Sequence, residues 1–209
     1  MKISQLIRFA LGLALVMMAS AANAQAKTKE GQSIIGLKLR AGGRFDDVRM
    51  CVGSPKSVKG GPAMDVSFFI ETHLKKNMSI SIDIPVVRPI LFGAAFEMLQ
   101  FEPEVALLFR QQTNGNVDVI WGPLVGMTLH YGPDYNSERS GANRGPSFFA
   151  LGPRVGAYVG LDFKRPGERF NFQLGLSPYV SPLFAVDDPE DHRGIVAGGM
   201  LDGLFRFGI

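Results

Sequence analysis

The sequence predicts an all-β fold, eight antiparallel strands closing up-and-down into a transmembrane barrel. Three observations carry the prediction. From Phe170 onward, Phe170, Phe172, Leu174, Leu176, Pro178 and Val180 fall on one parity, while Asn171, Gln173, Gly175, Ser177, Tyr179 and Ser181 fall on the other. A pleat sends alternate side chains to opposite faces, so this strand has one apolar and one polar wall. The same period recurs along the chain in segments separated by alternately long and short connections. Aromatics also collect near the ends of the apolar parity, as the two interfaces of a membrane require.

The N-terminus precedes the barrel in both sequence and logic. Lys2 and Arg8 lead into an apolar run from Phe9 to about Met18, followed by Ala22-Asn23-Ala24. Small residues in an A-x-A arrangement suit signal peptidase, and the run is shorter than the roughly 20 apolar residues of a spanning helix. Residues 1–24 are therefore expected to be a cleaved export signal and residues 25–209 a single barrel domain. Removing Lys2 and Arg8 brings the 22 basic residues down to 20, against 19 acidic ones. Such balance excludes the large one-sided positive excess of a nucleic-acid binder. The lone cysteine, Cys51, lies far beyond the cleavage site, which excludes both a lipidated first residue and an internal disulfide.

By parity the strands run from Ser33 to Ala41, Met64 to Leu74, Met78 to Arg88, Phe101 to Gln112, Asn116 to Tyr131, Phe148 to Phe163, Phe170 to Phe184 and Gly194 to Ile209. Four prolines (Pro123, Pro153, Pro178, Pro182) fall inside them. Each removes a ladder donor, so bulges or early strand ends are expected there. The longer connections are Gly42 to Ala63, Pro89 to Gln100, Gly132 to Ser147 and Ala185 to Arg193. With the N-terminus in the periplasm all four fall outside the cell, leaving tight turns within. In the turn Thr113-Asn114-Gly115, a three-residue hairpin loop would set Gln112 opposite Asn116 and Arg110 opposite Asp118.

A soluble barrel would turn its apolar parity inward. Here that parity carries Phe101, Phe109, Trp121, Tyr131, Phe149, Phe163, Phe170, Phe184, Phe205 and Phe207 near strand ends, and the polar parity mixes glycine, serine and charges of both signs. Both features suit a lipid-facing exterior and a crowded lumen. Across the whole predicted mature chain the pattern resembles the small eight-stranded bacterial outer-membrane proteins, the class that includes the OmpA transmembrane domain, OmpX and OmpW. The segment Phe205-Arg206-Phe207-Gly208-Ile209 is similar to the C-terminal signal of that class, although it ends on Ile209 rather than an aromatic. The resemblance implies outer-membrane location in a Gram-negative bacterium, the barrel-assembly machinery as a partner during biogenesis, and a monomer.

Eight strands make a barrel just wide enough to be filled by its own side chains. Parity directs Lys38, Arg40, Asp65, Glu71, Asp83, Glu104, Arg110, Asp118, Arg154, Asp162, Asp202 and Arg206 inward. Buried charges are tolerable when paired and hydrogen-bonded, so these residues predict an interlocked network. Arg44, Arg49, Lys56, Lys59, Arg139, Arg144 and Arg193 are expected outside, at the level of lipopolysaccharide phosphates that guanidinium groups fit well. The acidic run Asp187-Asp188-Pro189-Glu190-Asp191-His192 lacks the spacing and glycine of a calcium loop, so a solvated loop and no metal site is the expectation. No cofactor motif is present.

His73 and His130 face the lumen by parity and His192 lies in the last long connection. Some barrels of this size modify lipid A with an outward-side histidine, a serine and an acid. Ser137, Glu138 and Ser140 follow His130, but the deacylase-like His-x-Ser-Asn arrangement is absent. The favoured function is a non-enzymatic outer-membrane barrel that serves envelope integrity or surface interaction through its external loops. A narrow channel for small or apolar solutes and a lipid-modifying enzyme are the alternatives.

Overall fold

The computed structural model describes residues 31–46, 60–87, 99–113, 115–133, 147–163, 170–186 and 194–208. The strands are β1 (Ser33–Asp46), β2 (Gly60–Lys75), β3 (Met78–Pro85), β4 (Leu99–Phe101), β5 (Glu104–Gln111), β6 (Val117–Pro133), β7 (Ser147–Phe163), β8 (Phe170–Ala185) and β9 (Gly194–Gly208). Neighbouring strands pair antiparallel, with β3 on β5 and β4 on β6 where the chain order skips, and β1 pairs β9 to close the sheet. The predicted fourth strand appears as two pieces, because β4 and β5 both pair β6 in one register and are interrupted at Glu102-Pro103. The barrel therefore has eight staves. The predicted export signal lies outside the described residues.

Following lateral partners from Gly36 through Phe69, Asp83, Glu104, Gly126 and Arg154, and from Ser181 through Val196, returns to β1 at Asp46. The circuit closes ten residues beyond its start, and this shear sets the strand tilt of the barrel. Both termini of the barrel sit at one end, where Ile34 pairs Gly208. At this near end the connections are short, as in the Lys76-Asn77 turn that closes Lys75 onto Met78. The longer connections lie at the far end.

Side-chain parity holds on every stave. Outward positions carry Leu39, Ile70, Ile82, Trp121, Val125, Val159, Leu176 and Leu201, all exposed. Water would penalise so continuous an apolar surface, whereas hydrocarbon accepts it. Aromatic rings mark both rims of this band. Near the terminal end Phe109 packs on Trp121 with centroids 5.0 Å apart, and Phe172 bridges Phe163 at 6.1 Å and Phe205 at 5.4 Å. Toward the far end Phe45, Tyr131 and Phe184 are exposed.

The prolines do not bulge or end their strands. Register is constant across Pro123, Pro178 and Pro182, and only the local pairs drop out: Leu107 with Pro123 and Leu108 with Gly122 between β5 and β6, and positions around Pro178 and Pro182 between β7 and β8. A proline forfeits one donor toward one neighbour, so the opposite ladder survives. Pro178 and Pro182 remain paired with Gly199 and Ile195 on β9, and Pro123 and Pro153 with Ala157 and Met127 across β6 and β7. Glycines lie against several proline carbonyls. A methyl group on Gly152 would overlap the carbonyl oxygen of Pro182, and one on Gly126 that of Pro103. The absence of a side chain lets these backbones approach where the ladder is thinned.

Candidate functional site

The inward parity brings charge into three levels. At the near end Arg206 binds Asp162 at 2.8 Å and Glu71 at 3.0 Å. Arg110 pairs closely with Asp162 and stands 3.8 Å from Glu71 and 3.7 Å from Asp118. Ser79 donates to Glu71 at 2.7 Å, and His73 lies 3.9 Å from the same carboxylate. At mid-height Lys38 pairs with Asp83, while Arg40 binds Glu104 and Asp202, each at 3.0 Å. Ser177 completes this level by donating to Asp202 at 2.6 Å. Asp65, opposite Arg40 in register, accepts the Val66 N–H at 2.8 Å.

The far level centres on Glu102. One of its oxygens accepts from Arg44 at 2.5 Å and the other from Arg154 at 2.8 Å. Arg44 also holds Asp46 at 2.7 Å, and the Arg154 guanidinium lies 3.4 Å from the centroid of the Tyr179 ring. Every carboxylate in these levels has a cation or donor beside it, which is the condition for burying charge in a lumen.

Between the near and middle levels lies an apolar layer of Phe69, Ala106, Leu108, Ile120, Leu124, Tyr158 and Leu204, all buried. Successive inward residues show the layering directly: Asp202, Leu204 and Arg206 on β9, and Glu104, Ala106, Leu108 and Arg110 on β5. Gln173 spans the layer, donating to the Tyr158 hydroxyl at 2.5 Å and accepting from Arg206. A cavity of about 10 Å³, lined in part by Lys38, Ser81, Glu104, Tyr158 and Gln173, leaves room there for about one water molecule. Among the described residues, no cluster of three His, Cys, Asp or Glu side chains is placed to hold a metal ion.

The structure places all twelve inward-predicted charged residues inside the barrel, and all but Arg110 are buried. Arg44 requires correction. It was expected among the outer, phosphate-facing cations, yet only 4% of it is exposed. The reason is the length of β1, which continues through Gly42 and Gly43 to Asp46, so Arg44 keeps the parity of Lys38 and Arg40. Asp46 and Glu102 are lumen residues that the sequence reading missed. The continuing alternation of Arg44, Phe45 and Asp46 was the available signal for the first. For Glu102 it was the shared parity with Glu104. Arg49, Lys56, Lys59, Arg139, Arg144 and Arg193 lie outside the described residues, as do Cys51, His192, the Ser137–Ser140 segment and the acidic run.

The β5–β6 hairpin also differs from expectation. Its register sets Arg110 opposite Ile120 and Gln111 opposite Val119, two residues from the expected pairing of Arg110 with Asp118. Local side-chain bonds widen the turn: Asp118 accepts the Thr113 N–H at 3.2 Å, and the Thr113 hydroxyl donates to the Val117 carbonyl. These bonds compete with ladder pairing. A two-residue shift keeps every side chain on its own face, so Arg110 still points inward, but toward Asp162.

The chain matches no protein-family model and no curated protein sequence. Among solved structures it is similar to neisserial surface protein A (NspA), with 9% identity, 84% of this chain and 97% of that chain covered, and a TM-score of 0.56. The N-terminal β-barrel domain of Pseudomonas aeruginosa OprF aligns at 12% identity over 85% of this chain and 99% of that one, with a TM-score of 0.39. The likeness to NspA concerns the fold alone, and in fold this chain is a closed eight-stranded antiparallel β-barrel.

Proposed function

We propose that the chain is an outer-membrane barrel of a Gram-negative bacterium, with a filled and non-conducting lumen. It serves envelope integrity or surface interaction, without catalysis, through the connections at its far end. The observation that carries this reading is the inside-out distribution of polarity, apolar toward lipid and charged within, combined with a lumen occupied by paired charges and an apolar layer. The near end, with both termini and the short turns, is assigned to the periplasm. Outer-membrane lipids and lipopolysaccharide are then the immediate partners, and Arg49, Lys56, Lys59, Arg139, Arg144 and Arg193 the cations available to lipid phosphates.

Reconstitution into planar bilayers tests the filled lumen. No discrete conductance steps are expected, and regular steps would replace this reading with a narrow channel. Mass spectrometry of lipid A from cells with and without the protein should give the same species, whereas loss or transfer of an acyl chain would make the protein an enzyme. A membrane-impermeant maleimide should label Cys51 on intact cells, because that residue lies in the connection after β1. Labelling only after disruption of the outer membrane would reverse the assigned orientation.

A further inference from the structure

His130 on β6 is wholly buried at the far end, and its Nε2 lies 2.7 Å from Nη2 of Arg44. A guanidinium has donors and no acceptor, so Nε2 must present its lone pair and the ring is neutral in this arrangement. The same Nε2 is 3.7 Å from Oδ2 of Asp46. That oxygen already accepts from Nε of Arg44 at 3.1 Å and from Nη2 at 2.7 Å. We propose that His130, Arg44 and Asp46 form an acid-sensitive lock at the far rim of the lumen, in which protonation of His130 breaks its contact with Arg44 and sets the two cations in competition for Asp46.

Protonation converts Nε2 from an acceptor into a donor. Two positive groups then face each other across a hydrogen-bond distance, and the pair must part. Among the described residues, Asp46 is the carboxylate beside the new N–H. Arg44 keeps a second anchor, because its Nη1 is bound to Glu102 at 2.5 Å, although Glu102 already serves Arg154. Among the described residues, the charged groups beside the ring are Arg44 and Asp46 from β1, and bonds continue from Arg44 to Glu102 at the junction of β4 and β5 and on to Arg154 of β7. The register partners of His130, Gln100 and Ala150, bring no charge. Protonation of the ring adds a positive charge directly beside the buried Arg44 guanidinium. Arg44 and Asp46 are the last inward residues of β1, so their rearrangement loosens the end of that strand.

Thermal unfolding in detergent at about pH 7.5 and about pH 5, on either side of the ordinary histidine range, tests the lock. His130→Gln keeps an acceptor for Arg44 that does not titrate. The melting temperature of the wild type should fall on acidification by more than that of His130→Gln. Equal falls in the two proteins would overturn the lock. The wild type offers an independent reading through the ring-proton resonances of its histidines, assigned with His73→Gln and His192→Gln. The His130 resonance should move to its protonated position as the melting temperature falls, and a ring that stays neutral throughout the range would overturn the lock as well.

Discussion

The two charged ends of the lumen solve the same problem differently. At the near end, Arg110 and Arg206 converge on Asp162 and both reach Glu71, and Arg206 projects from a stave whose backbone ladders are continuous on both sides. At the far end, among the described residues, Glu102 ties Arg44 on β1 to Arg154 on β7. It does so from a break in its own stave, since neither Glu102 nor Pro103 belongs to β4 or β5. The near cluster is redundant, with two cations sharing carboxylates. The far cluster joins its two cations through one carboxylate, although Arg44 also holds Asp46 and Arg154 lies 3.4 Å from Glu104, and side chains there connect elements that backbone bonds do not.

Removing that one carboxylate should therefore have the largest effect. Glu102→Ala takes the shared carboxylate from two buried guanidinium groups at once, leaving Arg44 with Asp46 and Arg154 with Glu104 at 3.4 Å, and breaking buried pairs in this way costs about 3–5 kcal/mol. The loss should be read as a lower temperature for the heat-induced mobility shift of the folded barrel on detergent gels. Arg206→Ala should cost less, about 1.5–3 kcal/mol, because Arg110 remains to serve Asp162 and Glu71. If the two substitutions prove equally damaging, the contrast between a redundant and a single-point cluster is wrong.

A finer comparison lies within the near cluster. Double-mutant cycles should give Arg110 and Asp162 a coupling energy of about 1–3 kcal/mol, and Arg110 with Asp118 a smaller one, because the first pair is in direct contact and the second stands 3.7 Å apart. Reversal of that order would restore the register expected from a three-residue turn. Smallest of all should be Gly43→Ala on the lipid-facing wall, where an added methyl group meets nothing within 4 Å. A change in melting temperature within error corresponds to less than about 0.5 kcal/mol.

What could be read from the sequence follows from which physical signal is local. Face is local, since parity alone assigns Lys38, Glu71, Asp162 and Arg206 to the lumen, and all are buried there. Strand ends are less so. Gly42 and Gly43 read as a loop by composition, yet both are paired with β9 and carry Arg44 inward with them. Register is not local at all at the β5–β6 hairpin, because shifts of two residues keep both faces intact. The choice between them was made by Thr113 and Asp118 bonding to nearby backbone. The ion-pair partners inherit that limit. Parity could say that Arg110 points inward, but not that Asp162 of β7 would be its closest partner.

Prolines within the staves reach beyond the bonds they remove. A strand that slips by two residues keeps its polar and apolar walls, so neither lipid nor lumen would reject the error. The proline carbonyls would reject it. Pro182 fits against Gly152 and Pro103 against Gly126, and a two-residue slip of β7 along β8 would bring Arg154 or Ala150 to the place of Gly152. Pro182 with Gly152, Pro178 with Gly156 and Pro103 with Gly126 thus act as teeth and notches, a mechanical code for alignment written in residues that carry neither charge nor functional group. In the closed sheet, shape thus favours one register at positions where ladder pairs are missing.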